Sequence, residues 1–293
     1  MSVIVDRDTA GPAPAAAGPP AARRAPRVGP VRSGWVFTRR SVLHSRRDVE
    51  SLLMALMLPV TLMLLFTYVF GGAFDFTDAT GPVPADLSAR EVYATFVTPG
   101  IILLCAGFGA AGTAVAVADD MRTGIVDRFR SMPIHSVGVL TGAVVASLVR
   151  NLVATALVLG VGLLVGFRPD AGPGLWLAAI GLVSLFIVAI TWLYAAIGLA
   201  AAGPQAASGY GFVLLFLPYL SSAFVPTETM PAGLRWFADH QPITPLVDTL
   251  RSLLIGLPAP TGSAWLAVGW CLVIMVGAMV WARWMFPRRA VRR

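Results

Sequence analysis

The chain has 293 residues, of which 57% are hydrophobic and only 13% are charged. A soluble globular domain has about a quarter charged residues, so this composition predicts a membrane protein with several spans. All 22 basic residues other than histidine are arginine, so the 293 residues include no lysine. A Walker A phosphate loop, a Schiff-base site and a serine–lysine site each require a lysine, so these residues form none of them.

The net charge of +7 does not indicate nucleic-acid binding, because the arginines cluster beside apolar stretches. Cys105 and Cys271 lie inside such stretches, where a thiol acts as a small hydrophobe. We therefore predict no disulfide and no metal site.

The first 50 residues contain two predicted segments. Residues 1–30 are rich in Ala, Pro, Gly and Arg, which predicts a disordered cytoplasmic tail. Residues 31–50 mix apolar residues with Arg39, Arg40, Arg46 and Arg47, which favours an amphipathic helix at the bilayer surface. A solvated charged stretch is the alternative for residues 31–50.

Residues 51–293 are predicted to form an all-α membrane domain of six transmembrane helices. Crossing the roughly 30 Å hydrocarbon layer takes about 20 helical residues, and six stretches are long enough. They run from Ser51 to Gly72, Tyr93 to Ala118, Val137 to Gly166, Leu175 to Ala202, Ser208 to Pro226 and Ala264 to Phe286.

The distribution of arginine predicts the orientation. Seventeen arginines lie on the side of the two termini and four on the other, so both termini are expected in the cytoplasm. Arg150 falls inside the third predicted span. We expect it to extend to the cytoplasmic interface, and lining a transport path is the alternative.

Residues 119–136 form a cytoplasmic loop between the second and third spans. The acidic start at Asp119 and Asp120 favours a helix N-terminus, and Pro133 ends the segment. Ile125, Phe129 and Met132 fall on one helical face. The loop is therefore predicted to contain a short helix with an apolar docking surface.

All 15 acidic residues lie outside the six predicted spans. Ion-coupled carriers usually need an ionisable group near the midplane, so a secondary transporter is a weaker alternative. A lipid-modifying membrane enzyme is a second alternative, although its possible catalytic histidines, His44, His135 and His240, are scattered over two sides of the membrane.

A path between the spans would be apolar and aromatic, which favours a hydrophobic or amphipathic cargo. Candidate lining residues, each of which could instead pack against a helix or lipid, are Phe186, Trp192, Tyr194, Tyr210, Phe212, Phe216 and Tyr219.

Residues 226–262 form a proline-divided external region. Pro226, Pro231, Pro242 and Pro245 divide it into pieces too short to span a bilayer, yet the pieces are largely apolar. They are predicted to be re-entrant helices on or in the outer leaflet.

Three regions resemble the type-2 ATP-binding-cassette (ABC-2) permeases, and more narrowly the permease subunits of daunorubicin-resistance-type exporters. The stretch from Asp120 to Pro133 is similar to the cytoplasmic signature of that family, with Asp120 where Glu is common and Phe129 where Leu is common. The other two regions are Arg46-Arg47-Asp48 followed by Leu58-Pro59-Val60, and Phe224-Val225-Pro226 followed by Pro242 to Val247 and Leu250-Arg251.

The resemblance implies a transport subunit without catalytic residues of its own. It implies that a separate nucleotide-binding subunit binds ATP and Mg and that a second permease copy, identical or paralogous, completes the pathway in the cell membrane. Export of a drug, polyketide or lipid is expected, with the external helices closing the exit side. The residues that would contact the ATPase subunit are Asp120, Arg122, Gly124, Ile125, Arg128, Phe129, Met132 and Pro133.

Overall fold

The computed structural model describes residues 49–71, 88–123 and 136–290. All regular secondary structure in these ranges is helical. The α-helices are α1 Val49–Leu65, α2 Ala89–Arg122, α3 Ser136–Val165, α4 Pro173–Ala200, α5 Pro204–Leu214, α6 Ala232–His240, α7 Ile243–Ile255 and α8 Ser263–Ala290. A π-helical turn, Phe66–Phe70, continues α1, and 3-10 turns cover Leu217–Leu220 and Thr227–Thr229.

Four of the described helices are long and apolar enough to cross a membrane. They are Ala89–Arg122, Thr141–Val165, Pro173–Ala200 and Ser263–Met285. In α2, 72% of the most apolar window is buried inside the chain, against 22–39% in the other three. The second predicted span is thus the central helix, against which α3, α4 and α5 pack.

Helix α2 begins at a capping box. The Ser88 hydroxyl accepts a hydrogen bond from the Glu91 N–H, and the Glu91 carboxylate accepts one from the Ser88 N–H at 3.0 Å. This reciprocal pair satisfies two of the N–H groups that the first turn leaves without helical partners. The start of α2 is therefore fixed by local sequence.

One end of the helix bundle gathers the start of α2 with the ends of α3 and α7. Arg168, in the α3–α4 connection, lies 3.6 Å from the Glu91 carboxylate. The Asp170 N–H donates to the Leu254 carbonyl at 3.0 Å. These contacts place the predicted external region at the same end as the α3–α4 connection, as the predicted topology requires.

The opposite end brings the last turns of α2 beside the start of α5. A shallow cavity of about 640 Å³ lies between them, and its lining includes Gly112, Asp119, Arg122, Pro204 and Gln205. This is the end that the arginine count predicts to face the cytoplasm.

The predicted fifth span, Ser208 to Pro226, is not one continuous helix. Helix α5 ends at Leu214, and a 3-10 turn follows at Leu217–Leu220. Pro218 has no N–H to donate, and its ring would clash with the Leu214 carbonyl four residues earlier. The first predicted span is helical, but its apolar part, Leu56–Val69, is shorter than the four candidate spans. A count of six transmembrane helices therefore remains a prediction.

Other predictions lie outside the described residues. They concern the tail at residues 1–30, most of the amphipathic segment at 31–50, and the centre of the coupling loop at 124–135. Within 226–262 the structure contains the short helices α6 and α7. Their depth in a bilayer remains a prediction.

Candidate functional site

The described part of the predicted coupling region is the end of α2. Asp119 and Asp120 lie in the last turn of this helix, not at the start of the short helix that the sequence suggested. Arg122 lies 3.2 Å from the Asp119 carboxylate, and the Thr123 N–H donates to the Asp119 carbonyl at 2.9 Å. An arginine in the last turn is favourable because the C-terminal end of a helix carries partial negative charge.

The other predicted coupling residues cannot be placed. Gly124, Ile125, Arg128, Phe129, Met132 and Pro133 lie outside the described residues. Their role in coupling stays a prediction. The flanking helices end at Arg122 and begin at Ser136.

The aromatic residues of the fourth predicted span lie in the packed interior of the chain. Phe186, Trp192 and Tyr194, all on α4, are 3%, 4% and 1% exposed. The Tyr194 hydroxyl donates to the Gly211 carbonyl of α5 at 3.2 Å. In the single chain these three side chains therefore contact neighbouring helices.

The aromatic residues of the fifth predicted span are different, because several face outward. Tyr210, Phe212 and Phe216 are 61%, 57% and 50% exposed. Phe212 and Phe216 meet edge to face with ring centroids 5.1 Å apart. Such an arrangement leaves apolar ring surface open along one side of the chain.

These rings continue inward as an aromatic ladder, defined here as Phe212, Phe216, Tyr219, Phe224 and Phe66. Successive centroids lie 5.1, 6.2, 5.2 and 4.8 Å apart, and Tyr219 is stacked on Phe224 at 8°. Phe66 begins the π-helical turn after α1, and π-helical turns occur often at functional sites. The ladder thus joins the exposed face of α5 to the predicted external end of α1.

Arg150 contacts α2 from within α3. Its guanidinium donates to the Gly109 carbonyl at 3.3 Å and is partly buried. Next to it, the fully buried Asn151 donates to the Ser147 hydroxyl at 3.3 Å, and the Thr113 hydroxyl of α2 donates to the same oxygen. Arg150 is therefore part of a polar contact between α2 and α3.

Sequence reasoning missed a buried ion pair in α7. Arg251 is 5% exposed, and its Nη1 lies 3.4 Å from the Asp248 carboxylate. The Ser222 hydroxyl donates to the same carboxylate oxygen at 2.8 Å. Burial lowers the pKa of Arg251 to about 10, which leaves it charged at neutral pH. The sequence offers two signals: the spacing of three puts Asp248 and Arg251 on one helical face, and Arg251 belongs to the Leu250-Arg251 motif of the family resemblance. Neither signal predicts that the pair is buried.

Comparison with known proteins agrees with this architecture. Residues 32–255 match the family profile described as ABC-2 type transporter. A daunorubicin resistance ABC transporter permease protein of Streptomyces coeruleorubidus, DrrB1, is 30% identical over 242 residues, which are 81% of this chain and 78% of the relative. A probable doxorubicin resistance ABC transporter permease protein, DrrC, of Mycobacterium tuberculosis is 25% identical over 245 residues, or 83% of this chain and 80% of the relative.

The chain belongs to the ABC-2 type transporter family. The resemblance seen in the sequence is confirmed, because the matched residues extend from the amphipathic segment to the end of α7. Its relatives are transport permeases, and its apolar helices are those of a membrane protein.

Proposed function

We propose that the chain is the permease subunit of an ABC exporter that moves a hydrophobic or amphipathic compound out of the cytoplasm or the inner leaflet. ATP hydrolysis would be carried out by a separate nucleotide-binding subunit, which would bind ATP and Mg. The observation that carries this proposal is the family assignment of a chain without lysine, because a Walker A phosphate loop requires one.

The exposed aromatic residues support a path on the outer face of α5. A face with Tyr210, Phe212 and Phe216 half exposed suits either lipid or an aromatic, apolar cargo. A second permease copy facing this surface would enclose the path between two chains. The buried Phe186, Trp192 and Tyr194 would then support the wall of the path, whereas the exposed Tyr210, Phe212 and Phe216 would contact the cargo.

The proposed location is the cell membrane, with both termini in the cytoplasm and the short helices α6 and α7 on the external side. In this orientation the last turn of α2 and the residues after it would meet the ATPase subunit. No residue of this chain is assigned a catalytic role, and no nucleic acid is an expected partner.

The test is ATP-driven transport by the reconstituted complex. The chain would be co-purified with a candidate ABC-type ATPase subunit and reconstituted in proteoliposomes with a panel of fluorescent amphiphiles and a fluorescent phospholipid. We expect ATP-dependent accumulation of at least one probe. Transport by the chain alone, driven by a proton or sodium gradient, would instead indicate a secondary transporter, and chemical change of the phospholipid would indicate an enzyme.

Aromatic substitutions then test the path. Phe212→Ala and Phe216→Ala should each lower the transport rate at low probe concentration by roughly two- to tenfold, the range expected for one aromatic contact. Trp265→Ala is the matched control, because Trp265 is 83% exposed on α8 outside the ladder. Equal rates in all three variants would contradict the path assignment.

A further inference from the structure

The Arg251 guanidinium joins three separate parts of the chain. Its Nε donates to the Phe96 carbonyl of α2 at 3.1 Å. Its Nη2 donates to the Ser222 and Ala223 carbonyls at 2.7 and 3.0 Å, and its Nη1 reaches Asp248. The guanidinium also lies 3.6 Å from the centre of the Phe96 ring. One side chain thus binds α7 to α2 and to the loop after α5.

The contacted part of α2 contains Pro99 and Gly100, two residues that leave its backbone open to the loop. Pro99 has no N–H, so the Thr95 carbonyl four residues earlier receives no helical hydrogen bond from it. At the next residue, a β-carbon on Gly100 would lie 2.6 Å from the Ala223 Cβ, so the loop packs directly on the helix backbone. Arg251 thus binds α2 three residues before this proline and holds the loop that packs on Gly100.

Burial of this charge is not needed to hold α7 in place. The same helix buries Leu246, Leu250 and Leu254, which are 0%, 0% and 2% exposed, in the main hydrophobic core. Removing a charged pair from water is costly, and an apolar pair of similar volume often stabilises a fold as well or better. A buried arginine at this position therefore suggests a role other than packing.

The pair also separates two features of the proposed pathway. On one side lies a cavity of about 700 Å³, whose lining includes Ser222, Asp248 and Arg251 together with Arg235 and Asp239 of α6. On the other side the loop that Arg251 holds continues into Phe224 of the aromatic ladder. The Tyr93 hydroxyl donates to the Phe224 carbonyl at 3.5 Å, which fixes this residue to α2 as well.

We propose that Arg251, Asp248 and Ser222 form a latch that closes the external end of the transport path and opens during each transport cycle. Arg251 is a positioning residue that holds the loop at residues 221–224 against α2, between the ladder and the external cavity. The inference rests on the proposed function, since it assumes that cargo leaves at this end. Loss of the latch should shift the resting chain toward an open external end.

A buried cysteine reports the opening. Ser221 is fully buried in the held loop, and Ser221→Cys in a Cys105→Ala, Cys271→Ala background gives one nearly isosteric thiol. A membrane-impermeant maleimide is added from the external side. At rest the thiol should be protected, and during ATP turnover by the complex with its ATPase it should react faster.

The latch is broken by Arg251→Gln with Asp248→Asn, which removes both charges together and leaves no unpaired charge in the interior. Because a hydrogen bond to a charged group contributes more than a neutral one, labelling at rest should rise by about tenfold to a hundredfold. Arg251→Lys keeps the charge but not the planar fork, so it should give an intermediate rate. The matched control is Arg235→Gln with Asp239→Asn, an exposed pair 3.7 Å apart that lines the same cavity and should leave labelling unchanged.

A second thiol separates opening from unfolding. Cys105 is fully buried further along α2, and in a Cys271→Ala chain it should stay protected in every variant. Three outcomes would each overturn the latch. The Ser221→Cys thiol could react at rest in the chain with Arg251 and Asp248 intact, it could stay equally protected when both are replaced, or Cys105 could become labelled in the same variant as Ser221→Cys. Unchanged labelling of the Ser221→Cys thiol while cargo is exported would also overturn the latch. Failure of the proposed function is distinguishable, because it is seen as absent ATP-driven transport and does not alter labelling at rest.

Discussion

Two glycines of α4 differ in what a β-carbon would meet. A β-carbon on Gly198 would clash with the Ala114 carbonyl of α2 and lie 3.0 Å from the Val117 Cβ. A β-carbon on Gly181 would meet nothing within 4 Å. The missing side chain of Gly198 therefore allows α2 and α4 to approach closely, as small residues do between membrane helices.

At the residue scale, we expect the same change, glycine to alanine, to alter the stability of the chain differently at Gly198 and at Gly181. Gly198→Ala should destabilise the chain by about 1–3 kcal/mol, because the backbone of α2 must move to admit the methyl group. Gly181→Ala should be neutral or slightly stabilising, since alanine favours a helix over glycine. Thermal unfolding in detergent can be followed with a thiol-reactive dye, because both cysteines are buried. Equal melting temperatures for the two variants would contradict the close packing of α2 on α4.

At the scale of elements, the connection from α2 to α3 is where force could enter the membrane domain. Helix α2 ends at Arg122, α3 begins at Ser136, and the two helices pack on each other. A partner that moves the residues between them would move two long helices together. The sequence predicts that Ile125, Phe129 and Met132 share one helical face in this connection, and such an apolar surface would suit a cleft on the proposed ATPase subunit.

Truncation of the central aromatic residue tests this role. Phe129→Ala should weaken binding of the ATPase subunit roughly thirtyfold, since loss of a buried aromatic anchor commonly costs about 2 kcal/mol. It should also abolish cargo-stimulated ATP hydrolysis, while membrane insertion stays normal. Arg130→Ala is the control, because loss of a peripheral charge costs far less. If the triple change of Ile125, Phe129 and Met132 to Ala leaves co-purification and transport intact, the coupling assignment is wrong.

At the scale of the whole molecule, the helix bundle has two opposite ends, and the arginine count predicts which end faces the cytoplasm. Thr261 lies in the α7–α8 connection at one end, and Gln205 lies in the first turn of α5 at the other. Both residues are exposed. Seventeen arginines against four predict that Gln205 faces the cytoplasm and Thr261 the outside.

Cysteine labelling in intact cells decides between the two orientations. In the Cys105→Ala, Cys271→Ala background, Thr261→Cys should react with an impermeant maleimide added outside. Gln205→Cys should react only after the membrane is made permeable. The reverse pattern would place the termini outside and would also move the proposed coupling residues away from any cytoplasmic ATPase.

The sequence by itself determined the class of protein and most of its helices. Long apolar stretches with few charges can satisfy their backbone hydrogen bonds in a bilayer only as helices or closed barrels, so α2, α3, α4 and α8 were predictable from length and composition. The family resemblance followed from short motifs near α1, after α2 and in α7. Pro218 could also have predicted the break after Leu214, because its effect on the carbonyl four residues earlier is local.

Only the tertiary structure decided which side chains share a site. The partners of Arg251 are carbonyls 155, 29 and 28 residues away in the sequence. Local sequence predicts that a charged arginine lies at the surface, so it did not predict the burial of Arg251. Phe186 and Phe212 each lie in an apolar segment of a helix, yet Phe186 is buried and Phe212 is exposed. Helical periodicity shows which residues share a face, but which face meets a neighbouring helix depends on the packing of the whole chain.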